Sequence, residues 1–321
     1  MKRETGIDIA RGAGILFIVC LHAHVADAWF NSFAVAYFFV LSGYFFSEKS
    51  TIREFIKKKA VRLLLPYLFF LMAGKLFYLL LLLVSGRAAQ VSLPSLLNVA
   101  NADDNPPVWF LLALFEVGVL YKCLTTVIRQ QVWLLLAVVA ISAGGLWFAK
   151  AAWKLPLFMD TACSMLLFYY TGHQVKRRAW LQRAGRYGWI ITTILLVLFC
   201  AGQYFRQGTD IRTNTILGSP LPYLANNFTG SFCCMLFFYY CPLPSMLAKG
   251  LRYLGVNSLL ICCVHYPLLE MARPLASLVA ARGSIAYAFV VLITCLGLSI
   301  LLIEMCRKPV SAFYARFKLY Q

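Results

Sequence analysis

The chain has 321 residues, of which 61% are hydrophobic and only 13% charged. That balance leaves no room for the solvated surface of an ordinary globular protein and points to an integral membrane protein with no separate soluble domain. The formal net charge of +18 does not indicate nucleic acid as a partner, because the basic residues stand in short clusters between apolar runs, where a membrane surface accounts for them.

The first apolar segment, IDIARGAGILFIVCLHAH, carries Arg11 and His22. Eleven residues of helix return to within about 20° of the starting azimuth and climb about 16 Å. Both side chains therefore look into one channel, Arg11 near its cytoplasmic mouth and His22 deep in the bilayer, where such groups mark a substrate or proton path. Asp8, three residues before Arg11 on the same face, can pair with it, which offers a structural use for Arg11. His24 lies about 200° round from His22 and faces elsewhere. A signal peptide ending at Ala26-Asp27-Ala28 is opposed by Asp8 and Arg11, which interrupt the approach to the apolar stretch.

Ten blocks are long enough to span, at about 8–26, 30–46, 64–85, 107–123, 132–149, 156–174, 188–205, 222–243, 251–270 and 284–304. All should be helices, because lipid offers backbone groups no partner outside their own segment. The expectation is an all-α integral membrane protein of about ten transmembrane helices in one domain over 1–321. Between the second and third blocks, SEKSTIREFIKKKAVR at 47–62 predicts an amphipathic interfacial helix, with Ile52, Phe55 and Ile56 on its apolar side and Lys57, Lys58, Lys59 and Arg62 supplying charge. Two outer loops are long. Residues 87–107 carry Asp103-Asp104 and end in Pro106-Pro107, and residues 206–222 are polar and punctuated by Gly and Pro; each serves as a lid, an acceptor site or a plain connector.

The outer loops hold Arg87, Lys150, Lys154, Arg206, Arg212, Arg273 and Arg282, and Arg11 and Lys75 lie within spans. The other 21 of the 30 basic residues fall on the opposite side, so both termini are expected in the cytoplasm. Lys75 and Glu116 fall near the middle of consecutive spans, where a lone charge is expensive, and mutual pairing is the economical expectation; Asp160 is a competitor for Lys75. The eleven cysteines sit in or at the ends of predicted helices, with no disulfide framework and no metal-ligand spacing, and read as small packing residues.

Five segments carry a resemblance. Residues 7–12, IDIARG, with His22 at the following arginine-to-histidine spacing, FFVLSGYFF at 38–46, Lys59-Ala60-Val61-Arg62 before Leu65-Pro66-Tyr67, Val108-Trp109-Phe110-Leu111, and Val264-His265-Tyr266-Pro267 together resemble the membrane acyltransferase-3 family, whose members O-acylate bacterial surface glycans. The small size is closest to the fucose 4-O-acetylase-like subgroup. One departure is Lys59, where the family has arginine: lysine keeps the charge and loses the planar fork that grips phosphate, and Lys57 or Lys58 could substitute.

The resemblance implies a multi-pass enzyme of the bacterial inner membrane that moves acetyl, or another short acyl group, from acetyl-CoA or a related acyl-CoA to a hydroxyl of a glycan or its lipid-linked precursor. Such transfer needs a base for the acceptor proton and a group that stabilises the oxyanion. His22 is the candidate base, and burial favours the neutral imidazole this requires. Arg11, Lys59 and Arg62 are the candidates for the donor phosphates, although anionic lipid attraction alone explains a basic run. Ser42, Trp109 and His265 are candidate acceptor or oxyanion contacts. Each has a plainer use: helix packing beside Gly43 for Ser42, the aromatic belt for Trp109, and, for His265, satisfying the carbonyl freed by the Pro267 ring. Asp8, Lys75 and Glu116 are assigned to structural charge pairs. No metal is expected, and nucleic acid is not a partner. A proton-coupled secondary transporter of a glycan or lipid is the alternative for the same intramembrane charges, with no inverted repeat in its favour; a receptor or scaffold leaves those charges without a task.

Overall fold

A computed structural model describes residues 5–84, 86, 102–206 and 208–316, with side chains of the last helix described to Cys306. It is a bundle of helices: α1 (Thr5–His22), the single turn α2 (Asp27–Phe30), α3 (Ala34–Tyr44), α4 (Ile52–Lys59), α5 (Leu65–Val84), α6 (Trp109–Val127), α7 (Gln131–Ala151), α8 (Met159–Arg177), α9 (Trp180–Ala184), α10 (Gly188–Gln203), α11 (Pro220–Tyr240), α12 (Ser245–Val256), α13 (Ser258–Ala276) and α14 (Ile285–Arg316). A two-residue hairpin, β1 (Thr209–Asp210) with β2 (Thr215–Ile216), folds the expected 206–222 loop back on itself with Thr209 opposite Ile216.

Seven helical segments among the described residues are long and apolar enough to cross a membrane: Thr5–His22, Ile52–Val84, Pro106–Val127, Gln131–Ala151, Trp180–Gln203, Ser258–Ala276 and Ile285–Cys306. The protein is thus a multi-pass, all-α membrane protein. Every expected block coincides with helix, but three fall short of those criteria for a physical reason. The helix α3 has 11 residues, below the roughly 20 that a bilayer core demands. The helices α8 and α11 are long enough but carry buried polar groups, Asp160, Thr161, Ser164, His173 and Gln174 on one and Asn226, Asn227 and Ser231 on the other. Surrounded by protein, these helices tolerate polar side chains that lipid would penalise. The expected span at 251–270 also shifts, because the helix breaks at Asn257 and α13 runs on to Ala276.

Two glycine crossings fix the centre of the bundle. A Cβ on Gly43 of α3 would overlap the Tyr169 carbonyl of α8, and one on Gly172 of α8 would overlap the Val40 carbonyl of α3. The same reciprocity joins α1 to α12, through Gly12 against Leu251 and Gly255 against Asp8. Backbones this close leave no space for any larger residue, so Gly43 does the packing its neighbourhood suggested.

The expected interfacial segment forms as α4. A capping box starts it, with the Thr51 hydroxyl accepting from the Glu54 N–H and the Glu54 carboxylate accepting from the Thr51 N–H. Phe55 is buried while Lys57 and Lys58 are exposed. A π-helical turn over Ala60–Leu64 carries the chain into α5 without a break. Residues 87–101 of the expected first outer loop lie outside the described residues, as do Lys2, Arg3 and Lys318 and the side chains of Arg307, Lys308 and Arg316 of the expected inner charge.

The end of that first loop is not a surface connector. Ala102, Asn105 and Pro107 are buried, and Asp104 reaches Lys75 of α5, with Nζ 3.0 Å from Oδ2. Lys75 is therefore paired with a loop carboxylate and not with Glu116, which is buried on α6 and makes no ion pair among the described residues. Matching depths along two helices left out the azimuth of each side chain and the chance that a loop would enter the bundle. Asp160, the expected competitor, lies 4.0 Å from Lys154.

Candidate functional site

A cavity of about 490 Å³ runs through the bundle between α1, α3, the α4–α5 junction, α6 and α13. Arg11, His22, Ser42, Lys59, Arg62 and Trp109 all line it. The helical spacing of α1 sets its polarity. Arg11 is one end, and His22, about three turns on, is the other.

At the Arg11 end, Nη2 donates to Ser258 Oγ at 3.0 Å, and Nη1 is 3.8 Å from Asp8 Oδ1. The guanidinium also lies over the Phe45 ring, 5.5 Å from its centroid. The expected pairing with Asp8 is thus present, and the same side chain still lines the cavity. Lys59 and Arg62 come from the end of α4 and the π turn, one helical turn apart, so they present charge on one face. The Lys59 ammonium lies 5.7 Å from the Phe55 ring centroid. Ser258, at the start of α13, belongs to this group of polar residues; the Asn257–Ser258 helix start was its only sequence signal.

Aromatic and aliphatic walls separate the two ends, with Phe38 and Phe110 in edge contact at 5.9 Å. At the far end, the His22 and His265 rings stand 5.2 Å apart, and Tyr266 meets His22 edge-on at 5.8 Å. His265 is fully buried. Its Nδ1 lies 3.0 Å from the Ile261 carbonyl, and since a carbonyl only accepts, Nδ1 carries the proton. Nε2, the other ring nitrogen, has no hydrogen-bond partner among the described residues.

The kink at Pro267 is satisfied from elsewhere. The carbonyl this proline leaves without a helical donor belongs to Cys263, four residues earlier, and Asn105 Nδ2 donates to it at 2.9 Å. Asn105 also reaches the Phe70 carbonyl at 3.4 Å. The loop end that pairs with Lys75 thus braces α13 beside His265, so capping the Pro267 kink is not the task of His265.

His24 takes no part in the cavity. The backbone at His24 is left-handed, with φ 60°, and its exposed ring pairs with Asp27 at 3.2 Å, a contact that holds the Asp27 carboxyl below its ordinary range. A second polar cluster, with Tyr121, Lys122 and His173 buried and Glu48 exposed, lies outside the cavity and had no signal in local sequence. Tyr121 and His173 Nδ1 are 2.8 Å apart, His173 Nε2 is 3.5 Å from Glu48, and Lys122 donates to the Glu48 carbonyl at 2.9 Å.

No curated protein and no solved structure shows a significant match to the chain. The model of an acyltransferase domain family matches residues 4–304, nearly the whole chain, including every residue that lines the cavity. The chain belongs to the acyltransferase-3 family and is a membrane acyltransferase.

Proposed function

We propose that the enzyme moves an acetyl or other short acyl group from acyl-CoA to a hydroxyl of a cell-surface glycan or its lipid-linked precursor, in the manner of the fucose 4-O-acetylase-like subgroup. The observation that carries this reading is one cavity with cations at one end and an imidazole at the other. Coenzyme A suits that shape: its phosphates would meet Arg11, Lys59 and Arg62, and its long arm would lie along the apolar walls with the thioester near His22.

In the transfer, His22 takes the proton of the acceptor hydroxyl as its oxygen attacks the thioester carbonyl. The tetrahedral intermediate then collapses with cleavage of the C–S bond. The imidazolium returns its proton to the departing thiolate, so free coenzyme A and the ester are the products. Ser42 and Trp109 line the cavity and have hydrogen-bond donors of the kind an oxyanion requires. His265 packs its ring beside that of His22 and so fixes where the His22 ring lies. Asp8 holds Arg11, while Lys75 serves the bundle through Asp104.

The corresponding topology has ten membrane passages, including α3, α8 and α11, both termini in the cytoplasm, and residence in a bacterial inner membrane. Donor phosphates then enter from the cytoplasm and the acceptor from the opposite side. The test is purified protein in lipid nanodiscs with acetyl-labelled acetyl-CoA and glycan from cells lacking the gene. Label transferred to glycan, or released by slow hydrolysis without it, supports the reading; a protein that leaves the thioester intact with either acceptor, water or glycan, overturns it.

A further inference from the structure

A second cavity, of about 260 Å³, lies off the end of the bundle where α1 terminates. It sits between α2 and the residues after it, the β1 segment and the first turns of α11. In contrast to the central cavity its walls are mostly polar: Asn31, Ser32, Thr209, Tyr223, Asn226 and Asn227. Among the described residues no carboxylate lines it, and the exposed Arg206 supplies the one charge.

Part of this polar set builds the walls. Asn31 Nδ2 donates to the Thr209 carbonyl at 3.2 Å, tying α2 to the hairpin, and Asn226 Nδ2 donates to the Gly202 carbonyl at 2.9 Å, tying α11 to α10. Asn227 is different. It is 1% exposed, its Nδ2 donates to the Tyr223 carbonyl at 2.9 Å, and its Oδ1 has no partner among the described residues. A buried acceptor without a donor is costly, and because Asn227 lines the cavity a bound hydroxyl is placed to supply the donor. Hydroxyls and carboxamides grouped without a carboxylate suit a ligand whose groups both donate and accept, which is the chemistry of a sugar ring.

We propose that this cavity binds a hydroxyl-rich sugar residue of the acceptor, other than the residue that is acylated. The inference rests on the acyltransferase reading above and specifies where the glycan is held. Six residues join His22 to Ala28 at the cavity wall, so the two sites are within about 20 Å along the chain. The acceptor is then recognised as an oligosaccharide, with one sugar anchored here and a neighbouring hydroxyl delivered to His22. Arg206 at the rim favours a glycan with an anionic substituent over a cationic one.

The test compares wild type with Ala28→Phe, which fills the cavity without removing a polar group, and Asn227→Leu, which removes the lone acceptor. The probe is oligosaccharide prepared from the surface glycan of cells lacking the gene. Both variants should raise the KM for oligosaccharide by about tenfold or more, the loss expected from one or more sugar hydrogen bonds, with kcat and the KM for acetyl-CoA little moved. Unaltered oligosaccharide KM in both overturns the subsite and leaves the acyltransferase reading standing; a wild type that hydrolyses acetyl-CoA but transfers nothing to the oligosaccharide also overturns only the subsite, and one that leaves acetyl-CoA intact with and without oligosaccharide removes both. Hydrogen exchange of the wild type covers variants that do not fold. Oligosaccharide should slow exchange in the 219–230 segment, and exchange that is the same with and without it overturns the proposal.

Discussion

The two ends of the central cavity are built in opposite ways. At the basic end, Arg11, Lys59 and Arg62 come from helix α1 and the α4–π junction, stay partly exposed, and share their work with Ser258 and the Phe45 ring. At the imidazole end, His265 is sealed from solvent, its proton is placed by the Ile261 carbonyl, and α13 is braced by Asn105. Long, partly exposed charged side chains tolerate a large polar ligand, whereas proton transfer demands fixed geometry. Binding should therefore be distributed over the first end and turnover concentrated at the second.

The sharpest way to break this division is His22→Ala. Loss of a general base costs about 10² to 10⁴ in rate, and the KM for acetyl-CoA should hardly move, because the phosphates lie at the other end. His24→Ala, on the exposed side, should transfer like wild type. A His22→Ala enzyme that turns over normally in the purified assay would remove the base from the mechanism. His265→Asn comes next. Asparagine keeps a donor for the Ile261 carbonyl but removes the atom corresponding to Nε2, so a role limited to local bonding predicts little change. Support of the His22 ring predicts a fall in kcat of about 10², the scale of a misplaced catalytic group, with donor KM preserved. An enzyme as fast as wild type would make His265 a packing residue.

The imidazole end was also the part least readable from the chain. Arg11 and His22 are legible together because one helix period relates them, and period is local information. Lys59 and Arg62 are legible for the same reason. The bracing of α13 is not, since it depends on residue 105 entering between α5 and α13, and no pattern in the sequence states that a loop turns inward. The Lys75–Glu116 expectation failed on the same point, taking depth as sufficient when a loop carboxylate lay closer. Hydropathy finds the helices that face lipid, such as Trp180–Gln203 and Ile285–Cys306, and undervalues α8 and α11, whose polar residues are buried against the rest of the protein and not in lipid. The Tyr121–His173–Glu48 cluster joins three elements far apart in sequence and had no local signature.

At the basic end the effects should be smaller and additive in kind. Lys59→Ala and Arg62→Ala should each raise the donor KM by about tenfold, the value of one charge-assisted contact, while kcat stays near wild type, as for interactions equal in ground and transition states. The loss should shrink as salt is added, because these side chains are solvent-accessible. Donor KM values unchanged at low salt in both variants would reduce the cluster to a topology signal and dissolve the contrast between the ends.

The smallest effect is expected from Asp104→Asn, and it tests how the rigid end is held. The Lys75 side chain is 6% exposed and the Asp104 side chain 20% exposed, so this is a partly buried pair whose charge is screened on one side. Asparagine retains an oxygen that can accept from Lys75, and the cost is the difference between a charge-assisted and a neutral hydrogen bond, about 1 kcal/mol. Thermal stability in detergent should fall slightly. Lys75→Met alone should be worse than Lys75→Met with Asp104→Leu, since the single change leaves a carboxylate facing the bundle without its cation. Because Asp104 adjoins Asn105, the informative signal is in turnover: loosening this loop should lower kcat through His265 and leave the donor KM where it was. Equal kcat in wild type and Asp104→Asn, together with equal stability, would mean that Asn105 holds the α13 kink without help from the ion pair.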